Sequence, residues 1–152
     1  METLEQKKRR LIGKAKYLDT YIKTLNKITL KDIDSTMLLS VVDTDVICPI
    51  GIHPKVEFKT TLKFCEKVNV WNDIKTYLGH DLIYIWLDHG HECGLCPLDS
   101  IDLFNINFNF EDDPTGIIVL ISNSSSKRSV VLDFYEENMD KKIYIEFRSR
   151  VD

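Results

Sequence analysis

The sequence has no hydrophobic run long enough to cross a bilayer, and its N-terminus lacks the apolar core and cleavage site of a secretory signal. It is poor in glycine and proline, with six and four among 152 residues, which leaves little room for a long disordered tract. Its four cysteines are too few and too unevenly spaced for a disulfide framework. We therefore expect a cytoplasmic protein that folds as a single domain over residues 1–152, with no membrane partner and no structural disulfide.

Charge is distributed unevenly along the chain. The net charge is −4, but residues 1–31 hold nine basic and three acidic residues, a net of +6, which leaves −10 for residues 32–152. Clustered lysines and arginines favour nucleic-acid binding through counterion release. The acidic remainder would repel a phosphate backbone, and no aromatic residue interrupts the basic segment KKRRLIGKAK. Nucleic acid is therefore not the expected partner.

The basic segment belongs to a predicted amphipathic helix over residues 3–27. Its apolar side chains recur every three, four or seven positions, which places them on one stripe of the helix. The stripe consists of Leu4, Leu11, Ala15, Leu18, Ile22 and Leu25. Most of the basic residues fall beside this stripe, so we expect the helix to lie on an apolar surface.

Residues 36–87 alternate between strand and helix signals. The apolar run TMLLSVV predicts a buried strand, and the prolines and glycine after it predict a loop. The segment KVEFKTTLKFC alternates with period two, which is typical of a strand with one wet face. Asn69 is expected to cap a short helix that Gly79 ends. The predicted elements are strand 36–42, loop 43–54, strand 55–65, helix 69–78 and strand 82–87.

From residue 101 the pattern is that of a β-meander. Four strand signals, IDLFNINFNF, GIIVLI, SVVLDFYE and KKIYIEFRS, are separated by segments rich in turn-forming residues. In the first signal, phenylalanine and isoleucine alternate with asparagine. These patterns predict an α+β fold: a mostly antiparallel, twisted sheet with a C-terminal β-meander, packed by the long N-terminal helix and the short second helix.

The segment HGHECGLC at 89–96 holds half of the chain's histidines and half of its cysteines. Its side chains His89, His91, Cys93 and Cys96 are the ligand types that zinc prefers, and the Cys-x-x-Cys spacing lets two thiolates reach one ion. Against zinc, structural sites usually join distant parts of a chain, whereas this segment would tie together only a loop. A redox pair would need a helix start to lower a thiol pKa, and a proline and a strand signal follow instead. A polar connection is favoured, and zinc is the one candidate cofactor.

A metal-dependent nuclease is an alternative hypothesis. The order helix, strand, loop with aspartates, strand with Glu-x-Lys, helix, strand resembles the core of the PD-(D/E)xK nucleases over residues 1–87. The resemblance implies that Asp45 and Glu57 hold a divalent cation and that Lys59 assists the attacking water. A solvated strand face lined by lysines explains Glu57 and Lys59 without catalysis, and this simpler interpretation is favoured.

Acidic clusters occupy the turns and strand ends of the meander. Carboxylates with exposed aromatic side chains suit the capture of a basic protein, because complementary charge speeds encounter and aromatic anchors supply affinity. The expected partner-binding residues are Asp112, Asp113, Asp133, Tyr135, Glu136 and Glu137. This interpretation assigns no catalytic residue and makes the protein a binder rather than an enzyme.

The last third of the chain resembles the small immunity proteins that bacteria make against polymorphic or contact-dependent toxins. The resemblance lies in FNFEDDPTGIIVLIS followed by SVVLDFYEENMDKKIYIEFRS, which read as short antiparallel strands with acidic turns. It implies a stoichiometric inhibitor whose acidic face blocks a basic toxin, commonly a nuclease. Small phage proteins that neutralise host defences share this profile, and such a protein with a zinc-binding loop is a further hypothesis.

Overall fold

One antiparallel sheet with a layer of helices makes up the structure, a computed structural model that describes residues 1–123 and 127–150. The strands are β1 (Lys55–Lys63), β2 (Ile83–Leu87), β3 (Cys96–Leu98), β4 (Ile117–Ser122), β5 (Arg128–Glu137) and β6 (Asp140–Ser149). They lie in the order β1-β6-β5-β4-β2-β3, and each neighbouring pair is antiparallel. The predicted α+β class is confirmed.

A π-helical turn divides the N-terminal helix into two parts. Helix α1 (Leu4–Ile12) leads into the turn at Gly13–Tyr17, and helix α2 (Leu18–Ile28) follows it. A capping box fixes the residue at which α1 begins. The predicted long helix over 3–27 is confirmed, but the π turn adds one residue to the helical repeat.

The extra residue rotates the two parts of the helix relative to each other. Successive residues of an α-helix are about 100° apart, so the faces of α1 and α2 are offset by roughly that angle. In α2 the inward face is buried in the core; its members are Tyr21, Thr24, Leu25 and Ile28. In α1 the predicted apolar stripe faces solvent, with Leu4 71% exposed and Leu11 49% exposed. The expectation that the whole stripe lies on an apolar surface is therefore wrong for its N-terminal half.

Helix α3 (Val41–Ile47) and the 3-10 turn before it (Ser35–Met37) occupy the place of the strand predicted over 36–42. Ser40 caps α3 by accepting a hydrogen bond from the backbone N–H of Asp43 over 3.0 Å. Periodicity alone does not distinguish a buried strand from a helix in so short an apolar run. The serine cap stabilises the helix here, and the predicted strand is wrong.

The other helices are short. Helix α4 (Trp71–Leu78) follows a 3-10 stretch (Phe64–Val70), and Gly79 ends it with φ 84°, as predicted. Asn69 lies inside the 3-10 stretch and does not cap α4, contrary to the prediction. Helix α5 (Gly90–Cys93) lies in the connection between β2 and β3. Among the described helices, none combines the length and the apolar character needed to span a bilayer.

The segment 101–110, predicted as the first strand of the meander, is not a strand. It starts with a 3-10 turn (Ile101–Leu103), runs irregularly, and enters a second one (Phe110–Asp112). A single bridge links Phe104 to Thr29 at the end of α2. The predicted alternation still holds for burial at Phe104, Ile106 and Phe108, whereas Phe110 is half-buried. The other three predicted strands of the meander are confirmed as β4, β5 and β6.

The hydrophobic core lies on one face of the sheet, under α2, α4 and the segment 101–110. From the sheet it contains alternate residues, among them Ile83, Ile85, Ile118, Leu120, Val130, Leu132, Phe134, Ile143, Ile145 and Phe147. From α2 and α4 it contains Tyr21, Leu25, Ile28, Ile74 and Leu78. Phe108 contacts Phe134 with ring centroids 5.3 Å apart, which joins the irregular segment to the sheet.

Strand β1 forms one edge of the sheet. The strand predicted over 55–65 is confirmed over 55–63, and Lys55, Lys59 and Lys63 are exposed. The predicted dry face is wrong at its start, because Val56 and Phe58 are 43% and 62% exposed. The pairing register with β6 shifts between Val56 and Phe58, which marks a bulge. The opposite edge is β3, which is only three residues long.

Candidate functional site

The segment 89–96 lies where the N-terminal helix, α3 and β2 meet. Gly13 of the π turn approaches the backbone so closely that a Cβ at this position would lie 2.5 Å from the carbonyl oxygen of Glu92. Gly94 has φ 97°, and a Cβ there would overlap the carbonyl oxygen of Leu39. Two glycines therefore let three backbone segments come into direct contact.

Hydrogen bonds fasten the same segment to its neighbours. The Tyr21 hydroxyl donates to the carbonyl oxygen of Gly94 over 2.7 Å. The backbone N–H of Leu95 donates to Thr44 Oγ1 in α3 over 3.1 Å, and the backbone N–H of Leu39 donates to the carbonyl oxygen of Leu95 over 2.9 Å. Burial raises the pKa of Tyr21 well above its ordinary value, so its hydroxyl keeps the proton that it donates.

Neighbouring side-chain and backbone groups contact both histidines of the segment. His89 stacks on Tyr17 with ring centroids 3.6 Å apart. His91 Nδ1 accepts a hydrogen bond from the Trp86 indole N–H over 3.2 Å, and its Nε2 lies 2.9 Å from the carbonyl oxygen of Cys48. One neutral tautomer with the proton on Nε2 satisfies both contacts. Protein groups therefore occupy both ring nitrogens of His91.

The two cysteines of the segment face the interior. Cys96 in β3 is fully buried, and Cys93 packs against the core. Burial raises the pKa of Cys93 to about 12, and the Glu92 carboxylate adds to this effect. Burial raises the pKa of Cys96 to about 11. Thiols that stay protonated at neutral pH are poor metal ligands and poor nucleophiles.

The four predicted zinc ligands do not form a ligand set. His89, His91, Cys93 and Cys96 are each held by a different set of neighbours. Among residues 1–123 and 127–150, no three His, Cys, Asp or Glu side chains are grouped so that they could hold a metal ion. The structure therefore gives the zinc prediction no support, and the segment acts as a junction between the N-terminal helix, α3 and the sheet.

An ion pair joins α1 to α3 beside this junction. The Arg9 guanidinium binds both carboxylate oxygens of Asp45, with Nη1–Oδ1 at 3.0 Å and Nη2–Oδ2 at 2.5 Å. Gln6 donates a further hydrogen bond to Asp45, and Arg9 also donates to the carbonyl oxygen of His91. The hydrogen bond from Arg9 is the main reason that the pKa of Asp45 lies below its ordinary value. The inward face of α1 is thus polar.

The residues of the nuclease hypothesis have other roles. Asp45 belongs to α3, and the segment 36–42 predicted as the preceding strand consists of a 3-10 turn, a short connection and the first residues of that helix. Glu57 in the edge strand accepts a hydrogen bond from the Tyr77 hydroxyl over 2.5 Å. Lys59 lies opposite Glu146 in the pairing of β1 with β6. In the described part of the chain, the element order on which the nuclease resemblance depends is not present.

Two of the six predicted partner-binding residues, Asp112 and Asp113, accept backbone hydrogen bonds within the segment before β4. Asp113 is only 3% exposed, and its Oδ1 accepts hydrogen bonds from the backbone N–H and the hydroxyl of Thr115. Asp112 accepts from the backbone N–H of Asn109 over 2.7 Å. Aspartate commonly caps its own turn in this way. Because Asp113 is buried, the expectation that it contacts a partner is not supported.

The other four predicted residues, Asp133, Tyr135, Glu136 and Glu137, lie on β5 near its turn into β6. The three carboxylates are exposed and Tyr135 is half-buried. Asn138 and Met139 form a two-residue turn with φ 52° and 68°, as in a type I′ hairpin. Residues 136–140, named here the hairpin tip, combine three carboxylates with a methionine that is 91% exposed.

A cleft of about 850 Å³ lies on the face of the sheet opposite the core. Its floor consists of Ile117, Val119, Ile121 and Val131 from β4 and β5. Trp86 of β2 and the loop 48–54 after α3 form its walls. The cleft was not predicted, although the runs LIYIWL and GIIVLI are apolar at almost every position, a pattern typical of strands covered on both faces.

Replacing Asp45 by Asn should lower the free energy of unfolding by about 1–3 kcal/mol at neutral pH, because it removes charge-assisted hydrogen bonds from a shielded pair. The folded-state pKa of Asp45 is depressed, so its stabilising effect is present above the unfolded pKa of about 3.9 and is lost as the pH falls through the folded value. Urea denaturation from neutral pH to about pH 3 should show the two proteins converging in stability. Asp43→Asn on the exposed side of α3 is the control, and a difference independent of pH would contradict the assignment.

Alkylation by iodoacetamide at mildly alkaline pH should modify Cys65 much faster than Cys93 or Cys96. Cys65 is exposed, whereas burial keeps the other two thiols protonated. Mass spectrometry of peptides after timed quenching measures the three rates. In denaturant the rates should become similar, and rapid modification of Cys93 in the folded protein would show that the segment 89–96 opens.

The hairpin tip combines exposed carboxylates with an exposed apolar side chain, and the cleft is concave and mainly apolar, so both are candidate binding surfaces. Comparison with known proteins adds no relative: no family model matches the chain significantly, and neither does any curated protein or any solved structure.

Proposed function

We propose that the protein is a stoichiometric inhibitor of the immunity-protein type, which binds a basic protein through the hairpin tip. The observation that carries the proposal is the combination of exposed carboxylates with an exposed methionine at the turn between β5 and β6. The natural partner is a toxin with a cationic active-site groove, such as a nuclease, because such a groove binds an acidic projection in place of its phosphate substrate.

The pairing register supports this role because the tip extends beyond its neighbours. Strand β4 pairs with β5 as far as Asp133, and β1 pairs with β6 only from Lys142 onward. In the described sheet residues 136–140 are therefore paired only within their own hairpin, with no third strand on either side. A protruding hairpin reaches a concave partner without rearrangement of the rest of the molecule.

Charge at the tip is negative despite two adjacent lysines. Lys141 pairs with Glu111 at 2.9 Å, and Lys142 pairs with Glu137 at 3.2 Å. Each lysine is thus neutralised, while Glu136 and Asp140 remain as exposed carboxylates at the turn. Exposed ion pairs of this kind are weak, so an incoming cation can displace a lysine at small cost.

Met139 supports the proposal through its conformation. Its φ of 68° lies in the left-handed region, where a residue with a side chain costs about 1 kcal/mol and glycine costs far less. Burial of the side chain does not offset this cost, because Met139 is 91% exposed. A flexible apolar side chain in a turn flanked by Glu137 and Asp140 is suited to act as an anchor in a partner's pocket.

Reversing two charges tests the electrostatic part of the proposal. The partner is captured from the native cells on the wild-type chain, purified, and titrated calorimetrically with the chain at several salt concentrations. Glu136→Lys combined with Glu137→Lys should weaken binding at least about tenfold and reduce its salt dependence, because rim charges that face a cationic surface become repulsive. Asp19→Lys combined with Asp73→Lys gives the same change in net charge elsewhere and is the control. Equal effects of the two pairs would show that only overall charge matters.

Replacing Met139 by Gly tests the anchor independently. The fold should gain about 1 kcal/mol in urea denaturation, since glycine relieves the positive φ. Binding to the same purified partner should nevertheless weaken several-fold, because the apolar contact is lost. A purely structural role predicts that stability changes and affinity does not. That outcome would remove Met139 from the interface.

A further inference from the structure

The cleft on the second face of the sheet has the dimensions of a small-molecule site. Its volume of about 850 Å³ falls in the range of roughly 300–1,000 Å³ that is typical of pockets for drug-sized ligands. It lies near the beginning of β5 and the end of β6, whereas the hairpin tip lies at their other ends. The two sites are therefore separate, and the inference does not depend on the proposed function.

The floor of the cleft is largely aliphatic, with Tyr84 and Ser129 on either side of Ile121. Ile121 and Val131 are 9% and 4% exposed, and Ile117 and Val119 beside them are half-buried. These side chains present no hydrogen-bonding group to a ligand. The lip of the cleft adds Ile50 and Ile52 from the loop after α3, which are 60% and 48% exposed. A hydrocarbon body fits this surface, because it loses no hydrogen bonds on leaving water.

Basic side chains line one part of the cleft. Lys127, Arg148 and Arg150 line it together, at the point where the backbone N–H of Arg150 donates to the carbonyl oxygen of Lys127 over 3.1 Å. The other end carries the carboxylates Asp88 and Glu92. Arg148 shares its charge with Glu146 at 2.6 Å, so this end offers an anion the remaining guanidinium donors of Arg148 and not a net excess of positive charge.

Arg148 is the cation best placed to receive an anionic group. Its Nε donates to Glu146 Oε1 over 2.6 Å, which orients the guanidinium. Within the described residues this is its only hydrogen bond, so the two terminal amino groups are available for a planar carboxylate. Arginine binds carboxylates in this forked arrangement.

We propose that the cleft binds a small amphipathic carboxylate, with the hydrocarbon body on the floor of β4 and β5 and the carboxylate at Arg148. An extended peptide is a poorer fit, because peptides add to open strand edges and the strands under the cleft are already paired on both sides. A nucleotide is also a poorer fit, because the four aliphatic side chains offer no partner to the edge of a base and the Tyr84 hydroxyl already donates to Asn123.

The test is a titration of the purified full-length chain with dodecanoate below its micellar concentration. Calorimetry should show saturable binding of one dodecanoate per chain. Carbon–proton NMR of methyl groups should show the largest shifts at the four floor residues, Ile117, Val119, Ile121 and Val131. Dodecyltrimethylammonium, which has the same chain length and the opposite charge, should bind at least tenfold more weakly. Absence of saturable dodecanoate binding, or equal binding of the cation, would overturn the proposal without any substitution.

Matched variants locate the carboxylate. Arg148→Gln should weaken dodecanoate binding at least tenfold, whereas Lys142→Gln, on the same strand and the same face but outside the cleft, should leave it unchanged. Thermal unfolding of both variants verifies that the fold is kept. An equal loss in both variants, methyl shifts outside the cleft, or tighter binding of adenosine monophosphate than of dodecanoate would each contradict the assignment. The hairpin substitutions should leave dodecanoate affinity unchanged, so failure of one proposal does not imply failure of the other.

Discussion

The close backbone contact of the segment 89–96 with the N-terminal helix and with Leu39, just before α3, is the constraint on which the rest of the structure depends. Gly13 and Gly94 permit this contact, and a side chain at either position would force backbone atoms apart in an interior that has no free space. The contact draws the polar side of α1 inward, where Arg9 binds Asp45. It also fixes the end of α3, and with it the loop 48–54 that makes one wall of the cleft.

Elements governed by local pattern could be predicted, and those decided by distant contacts could not. Period-two alternation gave β1, and apolar runs between turn formers gave β2, β4, β5 and β6. The π turn has no such signal, because it adds one residue inside an otherwise regular helical pattern and is favoured by the contact of Gly13 with Glu92. The segment 101–110 has strand-like alternation, but its backbone bonds to the end of α2 and to its own turns.

The candidate sites, too, could be predicted where local sequence determines them and not where distant contacts do. The composition of the segment 89–96 made it conspicuous, but metal ligation and packing use the same residue types, and only the positions of Trp86, Cys48 and Tyr17 show that its histidines are structural. The acidic turns were visible as charge runs, whereas the burial of Asp113 depends on its own turn geometry. The cleft requires a loop from residues 48–54 to face strands far along the chain, and no local pattern encodes that proximity.

The edges of the sheet determine how the molecule behaves at high concentration. An open strand edge offers unpaired backbone groups to any other extended chain, and this is the usual route to aggregation. Exposed lysines and a bulge on β1 make the approach of a second copy repulsive and irregular, and β3 is too short to serve as a template. The two edges of the described sheet therefore offer a second copy little regular backbone with which to pair.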